Sequence, residues 1–141
     1  MATPYKVLIT ASGVGTPLGE LIKYTNKTLI KVGRRPTLAY IIDLYPAGTE
    51  FVVTLGHFAQ HVKEFLKIAY PKTKFIFVNV DKYDGPGSSL VHSMLRASKY
   101  LQEPFIYHAS DTIVTDKPIP PPIKKLDRWF HGWRIFKLRF V

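Results

Sequence analysis

Four short stretches of the chain are apolar at nearly every position and end in small or polar residues. They are residues 5–11 (YKVLITA), 51–55 (FVVTL), 74–80 (KFIFVNV) and 104–109 (PFIYHA). Runs of this length, rich in β-branched and aromatic residues, predict buried strands. Between them the spacing changes. Phe58, Val62, Phe65, Leu66 and Ala69 recur every three or four positions and predict an amphipathic helix. Leu90, Val91, Met94, Leu95 and Leu101 form a second stripe, with Ser88 or Ser89 placed to cap its start. Residues 37–44 predict a third helix. Strands apolar on both faces, alternating with such helices, predict an α/β fold: a mainly parallel sheet covered by helices on both sides. Ligands of these sheets bind beyond the carboxyl ends of the strands. The loops to examine are therefore 12–19, 56–57, 81–88 and 110–116.

At 141 residues the chain suits one compact domain with a real core. Its apolar and charged fractions, 46% and 21%, are those of a globular protein, and no apolar run reaches the length of a membrane span. The absence of cysteine excludes a disulfide framework and thiolate metal sites. With no recognisable address in MATPYKVLIT, the expected compartment is the cytoplasm. A net charge of +10 suggests nucleic acid until it is located. Residues 124–141 hold six of the 20 Lys and Arg but one of the ten acids, which leaves 14 against nine, a net of +5, over the first 123. That excess suits phosphorylated small molecules as well as nucleic acid. The tail differs in kind: Trp129, Trp133, Phe136 and Phe140 fall at i, i+4, i+7 and i+11 among basic residues, beyond the proline cluster at 118–122. It reads either as a basic amphipathic helix for a membrane surface or acidic partner, or as an abnormal terminus.

The loop after the first strand holds Gly13, Gly15 and Gly19 with Thr16. Glycines here let backbone N–H groups approach an anion, and a following helix N-terminus would add partial positive charge. A tight strand-to-helix turn without a ligand has the same composition. No Gly-Lys-Ser/Thr follows, which excludes a Walker loop. Gly19 comes four residues after Gly15 instead of three, and Asp43 lies late in a predicted helix, so the dinucleotide fingerprint also fails. His57, His61 and Glu64 have zinc-compatible spacing, but they flank the apolar stripe and read as a solvated helix side.

The wider stretch GVGTPLGELIKYTNKTLIKVGRRPTLAYIID resembles the opening of the sugar-1-phosphate nucleotidyltransferases, the sugar-nucleotide pyrophosphorylases. Gly13, Gly15, Thr16 and Leu18 match that family's glycine loop. Lys27 and Leu29 match its lysine segment, and Val32, Gly33 and Pro36 its turn before a helix. The resemblance continues more loosely to about Asp116 and implies a Rossmann-like, GT-A-like sheet, apparently truncated at its C-terminus. Residues 1–122 would form the partial nucleotide-binding domain, and 123–141 a tail of uncertain status.

The implied reaction is attack of a sugar-1-phosphate oxygen on the α-phosphorus of a nucleoside triphosphate, with release of pyrophosphate. By the same resemblance Ala11, Gly13, Gly15 and Thr16 hold the triphosphate and Lys27 steadies phosphate charge. Asn79 and Gly85 meet the base, and Asp111, in HASDT, binds Mg²⁺. The partners implied are the nucleoside triphosphate and the sugar phosphate, with neither nucleic acid nor membrane, and with a homo-oligomer allowed. Three features depart from the family pattern. Pro17 replaces a loop arginine, Asn26 replaces the proline before the lysine, and no late acid matches the second metal-binding aspartate. Pro17 and the missing second aspartate motivate one alternative, a non-catalytic nucleotide-binding remnant or regulatory domain of the same fold. The basic tail motivates a weaker one, a membrane-surface or nucleic-acid adaptor.

Overall fold

The computed structural model describes residues 3–115 together with the backbone of Arg134–Phe136. The first strand, β1 (Lys6–Thr10), leads through a 3₁₀ segment at Thr16–Ile22 and a second at Lys27–Leu29 to a small hairpin, β2 (Lys31–Val32) and β3 (Arg35–Pro36). Helix α1 (Thr37–Leu44), strand β4 (Glu50–Leu55), helix α2 (Ala59–Ala69) and strand β5 (Lys74–Asn79) follow. Helix α3 (Leu90–Arg96) and strand β6 (Phe105–His108) complete the unit, and Arg134–Phe136 forms β7. The main sheet has the order β5-β4-β1-β6-β7. Its first four strands are parallel, and β7 lies antiparallel on β6. The expected strands and all three expected helices are present, and the sheet is mainly parallel as the sequence implies.

Period-two alternation along the strands explains why both faces are dry. Val7 and Ile9 of β1, with Phe51 and Val53 of β4, point to the side covered by α1 and α2, where they meet Leu38, Ile41, Val62 and Leu66. Leu8 and Val52, between them in sequence, point the other way and meet Ala97, Leu101 and Phe105. The hairpin is held to α1 by Arg35 paired with Asp43 and by the Tyr40 hydroxyl on the Val32 carbonyl.

The second helical stripe is rotated from its expected face. Leu90, Val91 and Leu95 are exposed, whereas Ser93 and Ala97 are buried against the sheet. Two small residues four apart let α3 approach β1 closely, and the buried Ser93 hydroxyl bonds the Ser12 hydroxyl at 3.1 Å. Polar satisfaction at Ser93 and close approach at Ala97 fix the rotation. A 3₁₀ turn at Ser98–Tyr100 then swings Leu101 into the core. Ser89 is the N-cap, its Oγ accepting from the His92 N–H.

The domain boundary expected near 122 and the side chains of the basic tail lie outside the described residues. At 134–136 the backbone is a strand, so the helical spacing of Trp129, Trp133, Phe136 and Phe140 does not continue as helix there. Among the described residues no helix is long and apolar enough to cross a membrane.

Truncating Leu66, fully buried under α2, to alanine is expected to cost about 2–5 kcal/mol in urea unfolding. Leu95→Ala, on the exposed side of α3, is expected to change stability by no more than about 0.5 kcal/mol. Equal losses would contradict the rotation of α3.

Candidate functional site

Beyond β1 the chain is fixed by buried polar groups. The Ser12 carbonyl accepts from the His57 N–H at 2.9 Å. Its hydroxyl accepts from Thr54 at 3.2 Å, which leaves its own proton for Ser93. The ends of β1 and β4 and the first half of α3 therefore meet at one side chain.

A stronger fastening lies at Asn26, which is 0% exposed. Its Nδ2 donates to the carbonyls of Ala11 at 2.8 Å and of His57 at 2.6 Å, while Oδ1 accepts from the Thr28 N–H at 2.9 Å and the Thr28 hydroxyl at 2.8 Å. An amide side chain offers two donors and two acceptor sites, and here all are engaged. His57 adds a bond from its ring Nε2 to the Ile22 carbonyl at 3.0 Å. His57 is thus a clasp on the loop, not part of a solvated helix flank. Among the described residues no group of three or more acidic, His or Cys side chains is placed to hold a metal, and the His57–His61–Glu64 spacing carries none.

Lys27 follows Asn26 directly, so its backbone position is set by this knot. Its aliphatic stem lies on Gly15, whose φ of +77° belongs to the left-handed region. A Cβ on Gly15 would stand 3.0 and 3.1 Å from Lys27 Cβ and Cδ, and one on Gly13 would stand 3.9 Å from Lys27 Nζ. The glycines make room for the lysine, and its ammonium lies beside the Gly13 backbone. Pro17 does not disturb this, because it falls in the first turn of the 3₁₀ segment, where its missing N–H has no helical partner to lose. The segment breaks at Gly19 (φ +55°). In place of the expected helix the loop leads into this short 3₁₀ segment, and the positive side chains of the cleft are lysines.

A cleft of about 300 Å³ opens where the strand order changes direction, between the carboxyl ends of β1 and β6. Ser12, Gly13, Lys27, Lys82, Tyr83 and Asp111 are among its lining residues. Two ammonium groups and one carboxylate suit an anionic ligand accompanied by a cation.

Asp111 is held in place through a buried histidine. His108, the last residue of β6, is 3% exposed. Its Nε2 bonds the Thr112 carbonyl at 2.8 Å, and Nδ1 faces the Tyr45 hydroxyl at 3.0 Å. The carbonyl can only accept, so Nε2 carries the proton and Nδ1 accepts from Tyr45. Burial lowers the His108 pKa from its ordinary 6.5, against smaller opposing effects of the Thr112 carbonyl and Asp111. Burial also raises that of Tyr45. Both rings are neutral near pH 7, and together they brace the turn at 109–112 that carries Asp111.

Of the residues expected at the site, Gly13, Lys27 and Asp111 line the cleft, Gly15 supports Lys27, and Ala11 contributes its carbonyl to Asn26. Thr16 is exposed at the start of the 3₁₀ segment. Asn79 is exposed at the end of edge strand β5, and Gly85 sits in a turn with open space where a side chain would begin, neither among the lining residues. The importance of Asn26 was not legible in the sequence, where it is one polar residue in a loop. Tyr83 and Lys82 lie in the loop 81–88 beyond a strand's carboxyl end, but nothing in their spacing singles them out.

A scan against protein-family models finds no match, and neither does a search of curated proteins. Solved structures do match. A UDP-glucose pyrophosphorylase complexed with UDP-glucose superposes with a TM-score of 0.65 and 20% identity, over 77% of this chain and 46% of its own. A UDP-glucose pyrophosphorylase from Acinetobacter baumanii gives 0.67 and 17%, over 81% and 48%. CTP:phosphocholine cytidylyltransferase from Streptococcus pneumoniae gives 0.66 and 23%, over 81% and 48%. The fold is that of the nucleotidyltransferases, as the sequence resemblance implies. At these identities the likeness reaches the fold alone, and the chain spans about half the length of the proteins it matches.

Asn26→Ala strands the Thr28 donors and two carbonyls, and is expected to cost about 2–3 kcal/mol or more in equilibrium unfolding; Asn26→Asp, which keeps the acceptors and loses both donors, is not expected to restore it. For His108 the unfolded state binds the proton more tightly than the fold does. Its contribution to stability is therefore complete above pH 6.5 and is lost as pH falls through the lowered folded value. Chemical denaturation of His108→Gln between pH 7.5 and 5 is expected to show a flatter acid decline than wild type. An unchanged slope would contradict burial of the neutral ring.

Proposed function

We propose that this chain binds a nucleoside triphosphate with Mg²⁺ in the β1–β6 cleft and transfers the nucleotidyl group to a sugar-1-phosphate. The observation that carries the reading is Lys27, fixed by Asn26 and folded over Gly15 so that its ammonium lies beside Gly13, in a cleft that also holds Asp111. An oxygen of the sugar phosphate would form a bond to the α-phosphorus, and the bond from that phosphorus to the β-phosphate oxygen would break. Pyrophosphate leaves with the electron pair. Such a step needs alignment and charge neutralisation more than a covalent catalyst. Backbone N–H groups near Gly13 and Gly15 would receive phosphate oxygens, and the Lys27 ammonium would offset their charge as it shifts toward the leaving group.

Asp111 fits Mg²⁺ by its chemistry: that ion commonly takes one or two carboxylates, with substrate phosphates and water completing its shell. The ion would supply Lewis-acid polarisation of the phosphates. The reaction draws on the nucleoside triphosphates of the cytoplasm, the compartment this reading implies.

A second reading, nucleotide binding without turnover, is favoured by two observations. Asp111 is the sole carboxylate among the described residues lining the cleft, and Pro17 occupies the place of a charged grip.

Pyrophosphate release from each of the four nucleoside triphosphates, with glucose-1-phosphate and Mg²⁺, separates the two. Turnover that falls at least about 100-fold in kcat/KM in Lys27→Ala and Asp111→Asn supports the enzyme. Triphosphate binding with no pyrophosphate released assigns the second reading. Absence of binding rejects both.

A further inference from the structure

Tyr83 belongs to the loop after β5, yet its ring lies on Gly56, the residue that follows β4. The fit is close. A Cβ at Gly56 would stand 2.5 Å from Tyr83 Cγ, 2.7 Å from Tyr83 Cβ and 2.5 Å from the Ser12 carbonyl oxygen. Any side chain there would push the tyrosine away, so glycine at position 56 is what lets the aromatic seat. Tyr83 is nonetheless 37% exposed, and it lines the cleft. Its Cβ and Cγ are backed by the peptide at Gly56, and the side chain borders the cavity. That is a pre-positioned aromatic side chain in the cleft that also holds Gly13 and Lys27.

Its place in the sheet gives the cleft a direction. Gly56 lies past the end of β4, Gly13 past β1 and Asp111 past β6, and these three strands are consecutive neighbours. A ligand laid across them meets the aromatic ring first, then the glycine loop with Lys27, then the carboxylate. This is the order of a nucleotide: flat base, phosphates, cation. Asn79 and Gly85 lie outside the lining residues.

We infer that Tyr83, seated on Gly56, is the stacking platform for the nucleobase of the bound nucleoside triphosphate. The inference rests on the phosphate-binding reading above and adds where the base lies. Stacking on a ring is tolerant of base identity, because every base offers a π face. Tyr83 therefore supplies affinity to purine and pyrimidine triphosphates alike.

Titrations of the full chain with inorganic tripolyphosphate, ATP and UTP, each with Mg²⁺, separate platform from cradle. Tyr83→Ala is expected to weaken ATP and UTP about tenfold, within the range found for removing a base-stacking aromatic, while tripolyphosphate changes less than about twofold. Tyr83→Phe is expected to keep wild-type affinity. Tyr83→Leu still covers Gly56 but has no π face, and is expected to behave like Tyr83→Ala while melting at the wild-type temperature. Equal weakening of tripolyphosphate and nucleotides would overturn the inference and make Tyr83 a prop for Ser12. Unchanged nucleotide affinity in Tyr83→Ala would overturn it too. A wild-type chain that binds tripolyphosphate and nucleotides equally well refutes the platform while leaving the cradle intact. One that binds none of them refutes the phosphate reading itself.

Discussion

The buried amide of Asn26 is the constraint on which the rest of the site depends. Its four hydrogen bonds join the end of β1, the start of α2 and the segment carrying Lys27. Separately, each is a modest interaction, worth about 1 kcal/mol net. Taken together they satisfy the buried carbonyl of Ala11 and the part-buried one of His57 and fix the residue before Lys27 in one conformation. The lysine then needs only side-chain order, and the stem contact with Gly15 supplies it. A charged group held by the fold in this way loses little entropy on meeting a ligand, which is the physical meaning of preorganisation.

The sheet determines where that group acts. Because β6 lies on the opposite side of β1 from β4 and β5, the loops after β1 and β6 diverge and leave a cleft. Lys27 and Lys82 give it positive charge, while Asp111, braced through His108 and Tyr45, places a carboxylate at its rim. Buried hydroxyls at Ser12, Thr54 and Ser93 close its floor without an unpaired polar atom among the described side chains. Rigid floor, fixed cation and rim carboxylate are the parts that phosphoryl chemistry requires.

Much of this was legible in the sequence, for identifiable reasons. Strands such as β1 and β4 were clear because burial on both faces demands unbroken apolar runs. The glycine loop and Lys27 stand out by the spacing they share with the nucleotidyltransferase opening, and the structure adds that the lysine stem packs on Gly15. Three things were hidden. The orientation of α3 follows from Ser93 and Ala97, which carry almost no hydropathy signal, while the conspicuous Leu90, Val91 and Leu95 stay exposed. The role of Asn26 is hidden because satisfaction of a buried amide depends on carbonyls 15 and 31 residues away. The resemblance implies Asn79 and Gly85 at the base; neither is among the residues lining the cleft, whereas Tyr83, which lies against Gly56, is.

The central claim is that the glycine loop and Lys27, held by Asn26, form the anion cradle. Amide chemical shifts of the ¹⁵N-labelled chain, followed as inorganic tripolyphosphate is added, test it most directly. The account predicts the largest saturable shifts at residues 12–16 and at Lys27. Shifts confined to the basic residues of 123–141, with the glycine loop silent, would contradict it.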